Sequence, residues 1–123
     1  NRVNLLIAVL EKRLGISLGN CDAYVNIAGG IKIQEPAVDL GIAMAIVSSF
    51  KNMAIDDKMI AIGEVGLSGE VRAVSMVNAR VQEAKKLGFT TCIVPYVCRE
   101  SLKGITGMKV VYVQNVGDAI AYL

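Results

Sequence analysis

A charge-free segment from Leu40 to Phe50 constrains the fold of this chain more than any other stretch. Its residues are apolar almost all round a helix, and the small residues Gly41 and Ala43 allow close packing on several sides. Pro36 precedes it, where the first turn of a helix tolerates proline. The segment is shorter than the roughly 20 apolar residues that cross a bilayer. We therefore expect a central helix over residues 36–50 of a soluble, cytoplasmic domain with no membrane partner.

Helical and strand-like segments alternate along the rest of the chain, which predicts a mixed α and β class with helices covering a partly parallel sheet. The turn Gly66–Gly69 is expected to join Met59–Ile62 and Glu70–Val74 as the two strands of one hairpin. Ser75 is expected to cap the helix that follows. The predicted strands are Ala23–Ala28, Met59–Ile62, Glu70–Val74, Thr91–Val94 and Lys109–Val113. The other predicted helices are Val3–Leu14, Met76–Leu87, Arg99–Leu102 and Val116–Leu123.

The composition predicts one folded domain. The chain has 123 residues, of which 54% are hydrophobic and 20% charged, which is enough apolar material for a core. Aromatic residues make up 5% and tryptophan is absent, so few side chains are available to stack on nucleic-acid bases. The net charge of +2 is too small to imply a nucleic-acid partner by itself.

The sequence contains no histidine, which excludes several catalytic and metal-binding arrangements. A Ser-His-Asp triad, a Cys-His pair and every zinc site that uses histidine need a side chain that is absent here. The cysteines Cys21, Cys92 and Cys98 show no CxxC spacing and cannot supply four thiolates. We therefore expect no metal and no cofactor in this chain, and scattered thiols fit a reducing compartment.

Short motifs that would indicate nucleotide binding or catalysis are absent or weak. The chain has no P-loop and no G-x-G-x-x-G motif. The glycines Gly63, Gly66 and Gly69 flank the predicted hairpin, where turn geometry explains them. The S-x-x-K match at Ser48 and Lys51 lies at a helix end, where the lysine is expected to be solvated rather than to act as a base.

Five blocks of the sequence occur together in a recognisable order and spacing. They are Asn1–Arg13 (NRVNLLIAVLEKR), Tyr24–Gly30 (YVNIAGG), Glu35–Leu40 (EPAVDL), Gly63–Val74 (GEVGLSGEVRAV) and Leu87–Pro95 (LGFTTCIVP). These blocks resemble the proteolytic domain of Lon proteases, and most closely the Lon-like C-terminal domain of the RadA (Sms) family of bacterial recombination proteins. The resemblance implies the α+β fold of the Lon proteolytic domain, which is similar to the ribosomal protein S5 domain 2-like architecture. It also implies that residues 1–123 form a single Lon-like domain lacking the family's first β segment.

The chain departs from the Lon pattern at both catalytic positions that the resemblance assigns. Lon proteases place a nucleophilic serine directly after a proline, and here Ala37 occupies that position. The Lon lysine lies in the helix after the hairpin, where the alignment places Asn78. Glu35 and Asp39 replace glycines that flank the Lon motif. Neither alanine nor asparagine can act as nucleophile or base, so the resemblance implies a degenerate protease site and no enzyme activity for this chain.

The RadA resemblance implies a parent protein that is a DNA-dependent ATPase with a zinc module and a RecA-like core. Such proteins form hexameric rings and drive branch migration during recombinational repair, so the implied partners are further copies of the chain and single-stranded or branched DNA. ATP, Mg and Zn would belong to parts of the parent outside this sequence. A serine peptidase and a docking module for a recombinase or replicative helicase are the alternatives to a non-proteolytic scaffold.

Basic residues of the hairpin and the following helix are candidates for DNA contact, because a modest cationic patch would be repeated around a ring. The alternative is a solvated helix face on which Arg80 and Lys86 pair weakly with Glu83. The candidates are Lys32, Arg72, Arg80, Lys85 and Lys86.

Overall fold

A computed structural model describes residues 2–18 and 35–123 of the chain. The predicted strand Ala23–Ala28, the candidate Lys32 and Cys21 lie outside the described residues. The helices are α1 (Arg2–Leu14), α2 (Asp39–Phe50), α3 (Val77–Lys86) and α4 (Val116–Ile120), with 3-10 helices at Pro36–Val38 and Tyr96–Leu102. The strands are β1 (Met59–Ala61), β2 (Glu64–Val65), β3 (Val71–Arg72), β4 (Thr91–Pro95) and β5 (Lys109–Val113).

The described strands form two sheets of different kinds. Strands β1, β4 and β5 make a parallel sheet in the order β1-β4-β5, with Met59 opposite Thr91 and Thr91 opposite Lys109. Strands β2 and β3 make a separate antiparallel pair in which Glu64 lies opposite Arg72. Helices and strands of both kinds confirm the expected α+β class.

The predicted pairing of Met59–Ile62 with Glu70–Val74 is wrong. The main-chain N–H of Gly66 donates to the carbonyl of Glu70 at 2.9 Å, and this tight turn brings only the adjoining residues of β2 and β3 together. Strand β1 lies too far back along the chain to share that ladder. It pairs instead with β4, and the N–H of Ile62 extends that pairing by donating to the carbonyl of Ile93 at 2.9 Å.

Strand β4 is the middle strand of the described parallel sheet, and helices pack on both of its faces. Ile93 packs in a buried cluster with residues of α1, α2 and α4, whereas Cys92 and Val94 pack in a second cluster with residues of α3 and the 3-10 helix Tyr96–Leu102. All three side chains are fully buried, as expected for a central parallel strand. Burial raises the pKa of the Cys92 thiol to about 12, so this cysteine is an inert core residue at neutral pH.

Two of the predicted turn glycines are required for different reasons. Gly69 has a φ of 81°, a conformation that residues with a Cβ rarely adopt. Gly63 permits a close approach, because a Cβ there would lie 2.8 Å from Cγ1 of Val71. These contacts confirm that the glycines shape the hairpin and its entry. Within the described ranges, no helix has the length and apolar character needed to cross a membrane.

Candidate functional site

The position at which the resemblance places the Lon serine is a core position in this chain. Ala37 lies in the 3-10 turn Pro36–Val38, is 4% exposed, and packs in the same cluster as Val77 and Val81 of α3. Its carbonyl accepts a hydrogen bond from the N–H of Gly63 at 2.9 Å. The small side chain therefore lets the start of the α2 region pack on α3 and the hairpin.

The position of the Lon lysine holds a surface hydrogen bond. Asn78 is exposed, and its side-chain amide donates to the carbonyl of Ser101 at 2.8 Å, linking α3 to the second 3-10 helix. The expectation that Ser75 caps this helix is wrong. The residue before the helix is Met76, in a left-handed conformation with φ 55°, and it makes no side-chain capping bond. This turn directs Asn78 towards Ser101.

Arg80 links the residue before the first 3-10 turn to the residues before α3. Its guanidinium donates to the carboxylate of Glu35 at 2.9 Å and to the carbonyl of Ser75 at 2.8 Å. The same carboxylate oxygen of Glu35 accepts a bond from the N–H of Ala37 at 3.3 Å. Arg80 therefore fixes the start of the α2 region against α3, and the expected pairing of Arg80 with Glu83 is wrong because Glu35 is the carboxylate that the fold brings to it.

Asp39 is the one buried charged residue of the described chain. Its carboxylate accepts bonds from Nε and Nη2 of Arg2 at 2.8 and 2.5 Å and from the N–H of Val65 at 3.1 Å. The hydrogen bond to Asp39 raises the pKa of the Arg2 guanidinium. The sequence placed Asp39 correctly near a helix N-terminus, but it held no signal for burial, because Arg2 is 37 residues away along the chain.

Arg72, the hairpin candidate for DNA contact, is already engaged by carboxylates. Its Nη2 lies 2.9 Å from the carboxylate of Glu70, and its Nη1 lies 3.5 Å from that of Glu64. The hydrogen bond with Glu70 raises the pKa of Arg72. The structure therefore does not bring Arg72 and Arg80 into one free cationic surface with Lys85 and Lys86.

Four exposed lysines lie instead at the amino edge of the parallel sheet, the edge at which β1, β4 and β5 begin. Lys58 directly precedes β1, and Lys109 is the first residue of β5. Lys85 and Lys86 end α3, whose chain returns to the start of β4. Sequence reasoning missed Lys58 and Lys109 because they are distant in sequence. The available signal was a lysine directly before the predicted strand at Met59 and another as the first residue of the predicted strand Lys109–Val113. The lysine cluster is defined here as Lys58, Lys85, Lys86 and Lys109.

The opposite, carboxyl edge of the sheet holds an open groove. The groove has a volume of about 470 Å³ and lies between the hairpin and the 3-10 helix Tyr96–Leu102. Its lining includes Tyr96 and Val97, and Val97 is 61% exposed.

In the described part of the chain, no group of three or more cysteine or carboxylate side chains is placed to hold a metal ion. The S-x-x-K match gains no support as a catalytic pair, because the hydroxyl of Ser48 donates a hydrogen bond to the carbonyl of Met53.

Comparison with known proteins assigns a family. The family model described as subunit ChlI of Mg-chelatase matches residues 4–97, well over half of the chain. The chain belongs to this family. The matched range includes both degenerate positions, Ala37 and Asn78, the hairpin and the whole of α3.

Curated relatives of the chain carry a more specific name. DNA repair protein RadA of Halalkalibacterium halodurans is 51% identical over 123 residues, and those of Bacillus subtilis and Synechocystis are 49% and 47% identical over 120 and 123 residues. Each alignment covers 98% of this chain but 26%, 26% and 24% of the respective relative. The chain thus spans about a quarter of the length of these relatives. The resemblance to RadA proteins is confirmed.

Proposed function

We propose that this chain is a non-proteolytic Lon-like domain that helps a bacterial DNA repair protein assemble and contact DNA in the cytoplasm. The name shared by the relatives supports a role in DNA repair. Residues 1–123 would act as a single domain of that protein. In this proposal the domain carries no catalysis of its own, and the parent hydrolyses ATP elsewhere.

The observation that carries the non-proteolytic part is the structural use of both dyad positions. Ala37 is buried against α3, and Asn78 holds the carbonyl of Ser101. A serine in place of Ala37 would bury a hydroxyl group, which costs about 1–3 kcal/mol when it finds no partner. A lysine in place of Asn78 would lose the bond to Ser101. Both positions therefore stabilise the fold in a form that offers no nucleophile and no base.

The RadA likeness supports a wider proposal for the parent protein. Copies of this domain would stand side by side in a hexameric ring, while a RecA-like core with ATP and Mg and a zinc module lie in other parts of the protein. The ring would move branch points of DNA during recombinational repair. A recombinase or a replicative helicase is the proposed protein partner of this assembly.

A peptide-cleavage assay separates the proposal from the serine-peptidase alternative. The chain and its Ala37→Ser, Asn78→Lys variant are incubated with an unstructured fluorogenic polypeptide and with a serine-reactive fluorophosphonate. We expect no turnover and no labelling of the unmodified chain. We also expect no turnover by the variant, because its restored side chains fall in a packed turn and beside Ser101. Cleavage by the unmodified chain would establish a peptidase and end the proposal.

Assembly and DNA contact are tested on the same chain. Light scattering after size-exclusion chromatography measures self-association, and fluorescence anisotropy with labelled oligothymidylate and a mixed-sequence duplex measures DNA binding at low salt. We expect concentration-dependent self-association and DNA binding that weakens steeply as salt rises. A chain that stays monomeric and binds neither oligonucleotide at low salt contradicts the proposed role.

A further inference from the structure

The starts of the three parallel strands are held side by side by main-chain hydrogen bonds. The carbonyl of Lys58 accepts bonds from the N–H groups of Thr90 and Thr91 at 2.9 and 3.2 Å, and the N–H of Lys109 donates to the carbonyl of Thr90 at 2.9 Å. Neighbouring strands are about 4.8 Å apart, so the main chains of Lys58 and Lys109 lie roughly 10 Å apart. Their separation is therefore set by the sheet rather than by mobile loops.

Helix α3 adds two lysines to the same edge. The loop before β5 passes under Lys85, because a Cβ on Gly107 would lie 3.0 Å from both Cε and Nζ of that side chain. Lys86 follows in the same last turn. A helix C-terminus favours cations, which accounts for Lys85 and Lys86 in structural terms. That explanation does not apply to Lys58 and Lys109, which lie at strand starts.

The ammonium groups of the lysine cluster have no carboxylate partner among residues 2–18 and 35–123. The nearest acidic residues in sequence are Asp56 and Asp57, in the turn before β1, and Glu83 on α3. Asp56 is partly occupied, since its carboxylate accepts a bond from the N–H of Lys58 at 2.8 Å. The four cations are thus exposed, fixed to regular elements at their Cα atoms, and free to pair with an external anion.

The chemistry of the cluster selects the kind of anion. Lysine presents a compact charge on a flexible stem, which suits phosphate oxygens, whereas paired recognition of base edges favours the planar fork of arginine. A span of roughly 10 Å corresponds to about three base-pair steps along the duplex axis, at about 3.4 Å a step. Contacts of this type hold DNA without reading its sequence.

We propose that Lys58, Lys85, Lys86 and Lys109 form the surface through which this domain contacts the phosphate backbone of DNA. This inference rests on the proposed function and assigns its DNA contact to the amino edge of the sheet. It removes Arg72 and Arg80 from the contact, because both guanidinium groups are held by carboxylates of the chain. Binding at this surface is independent of base sequence and depends strongly on salt.

The test compares two double variants with the same change in charge. Lys58→Gln with Lys109→Gln alters the cluster, whereas Lys12→Gln with Lys51→Gln alters two exposed lysines on α1 and at the end of α2. Binding to a mixed-sequence duplex is measured by fluorescence anisotropy over a range of salt concentrations. Each lost phosphate contact lowers the slope of log K against log salt by about 0.9, so we expect the cluster variant to lose about 1.8 and the control variant to keep the original slope.

The outcomes separate this inference from the function on which it rests. If the unmodified chain binds DNA and both double variants bind equally well, the lysine cluster is not the contact surface, although the DNA-binding role stands. If both variants weaken binding to the same extent, net charge rather than this surface governs binding, and the inference also fails. If the unmodified chain does not bind DNA, the proposed DNA contact itself is wrong. An Asp57→Asn variant provides a reciprocal check, with tighter binding expected.

Discussion

Arginines gather at the carboxyl edge of the sheet, whereas exposed lysines gather at its amino edge. Each of three arginines at the carboxyl edge lies against a carboxylate, and each of the lysines in the cluster lacks one in the described residues. The arginine pairs are Arg2 with Asp39 at 2.5 Å, Arg72 with Glu70 at 2.9 Å and Arg80 with Glu35 at 2.9 Å. The cations therefore serve different purposes at the two edges: paired with carboxylates at one, exposed to solvent at the other.

The difference follows from the chemistry of the two cations. A guanidinium group donates in a fixed plane and can satisfy a carboxylate and a carbonyl together, as Arg80 does with Glu35 and Ser75. An ammonium group is strongly hydrated and loses more by ordering on the protein surface. Arginine at one edge thus stabilises the start of the α2 region and the hairpin, while lysine at the other edge remains exposed to solvent.

The largest effect is expected from Arg2→Ala at the carboxyl edge. This variant leaves the carboxylate of Asp39, which is 1% exposed, without its counter-ion. Removing one partner of a buried pair costs about 3 kcal/mol, measured as the free energy of unfolding in urea at pH 7. Lys12→Ala on the exposed side of α1 is the control, with an expected change below about 0.5 kcal/mol. Equal losses in the two variants would show that the Arg2–Asp39 pair contributes no specific stability.

A smaller effect is expected from Asn78→Ala, also at the carboxyl edge. The variant removes the bond to the carbonyl of Ser101, and a bond of this kind contributes about 1 kcal/mol. Urea unfolding measures the loss, and Gln82→Ala on the exposed face of α3 is the matched control. If Asn78→Ala is as stable as the control, Asn78 is a neutral replacement of the Lon lysine rather than a structural residue.

Lowering the pH should reduce the stability of the folded chain, in part through Glu70 at the carboxyl edge. Its own main-chain N–H, and then the guanidinium of Arg72, hold the pKa of Glu70 below the usual 4.5. A carboxyl group with a lowered pKa stabilises the folded state above pH 4.5 and loses that contribution as the pH falls through its folded value. Unfolding measured from pH 6 to pH 2.5 should therefore show a shallower acid loss for Glu70→Gln than for the unmodified chain. Parallel curves would mean that the hairpin network does not stabilise the fold.

The smallest effect is expected from the lysine cluster. Lys58→Gln with Lys109→Gln removes no salt bridge in the described structure, so each substitution should change the free energy of unfolding by less than about 0.5 kcal/mol. Thermal and urea unfolding check this. Losses comparable with that of Arg2→Ala would contradict the contrast between the two edges, because the lysines would then be structural as well.

Local patterns were sufficient to predict most individual elements. The apolar spacing predicted α1 and α3, and the apolar run before Pro95 predicted β4. The glycine-bounded turn predicted the position of the hairpin and its second strand, but not its first strand. The resemblance to Lon domains also identified Ala37 and Asn78 as the positions to compare. These features depend on residues that are close together in the sequence or on the order of motifs, so they can be recognised without the structure.

What the sequence alone determined was the set of side chains to compare with a Lon site: it has no histidine, and the Lon resemblance places alanine at position 37 and asparagine at position 78. The tertiary structure decided how the charges are used. The burial of Asp39, the pairing of Arg80 with Glu35 and the placement of Lys58 and Lys109 at one edge of the sheet all depend on residues far apart in the chain. These placements follow from the strand order β1-β4-β5 and from the packing of helices on both faces of the sheet. The spacing of charged residues along the sequence reveals neither the strand order nor the helix packing.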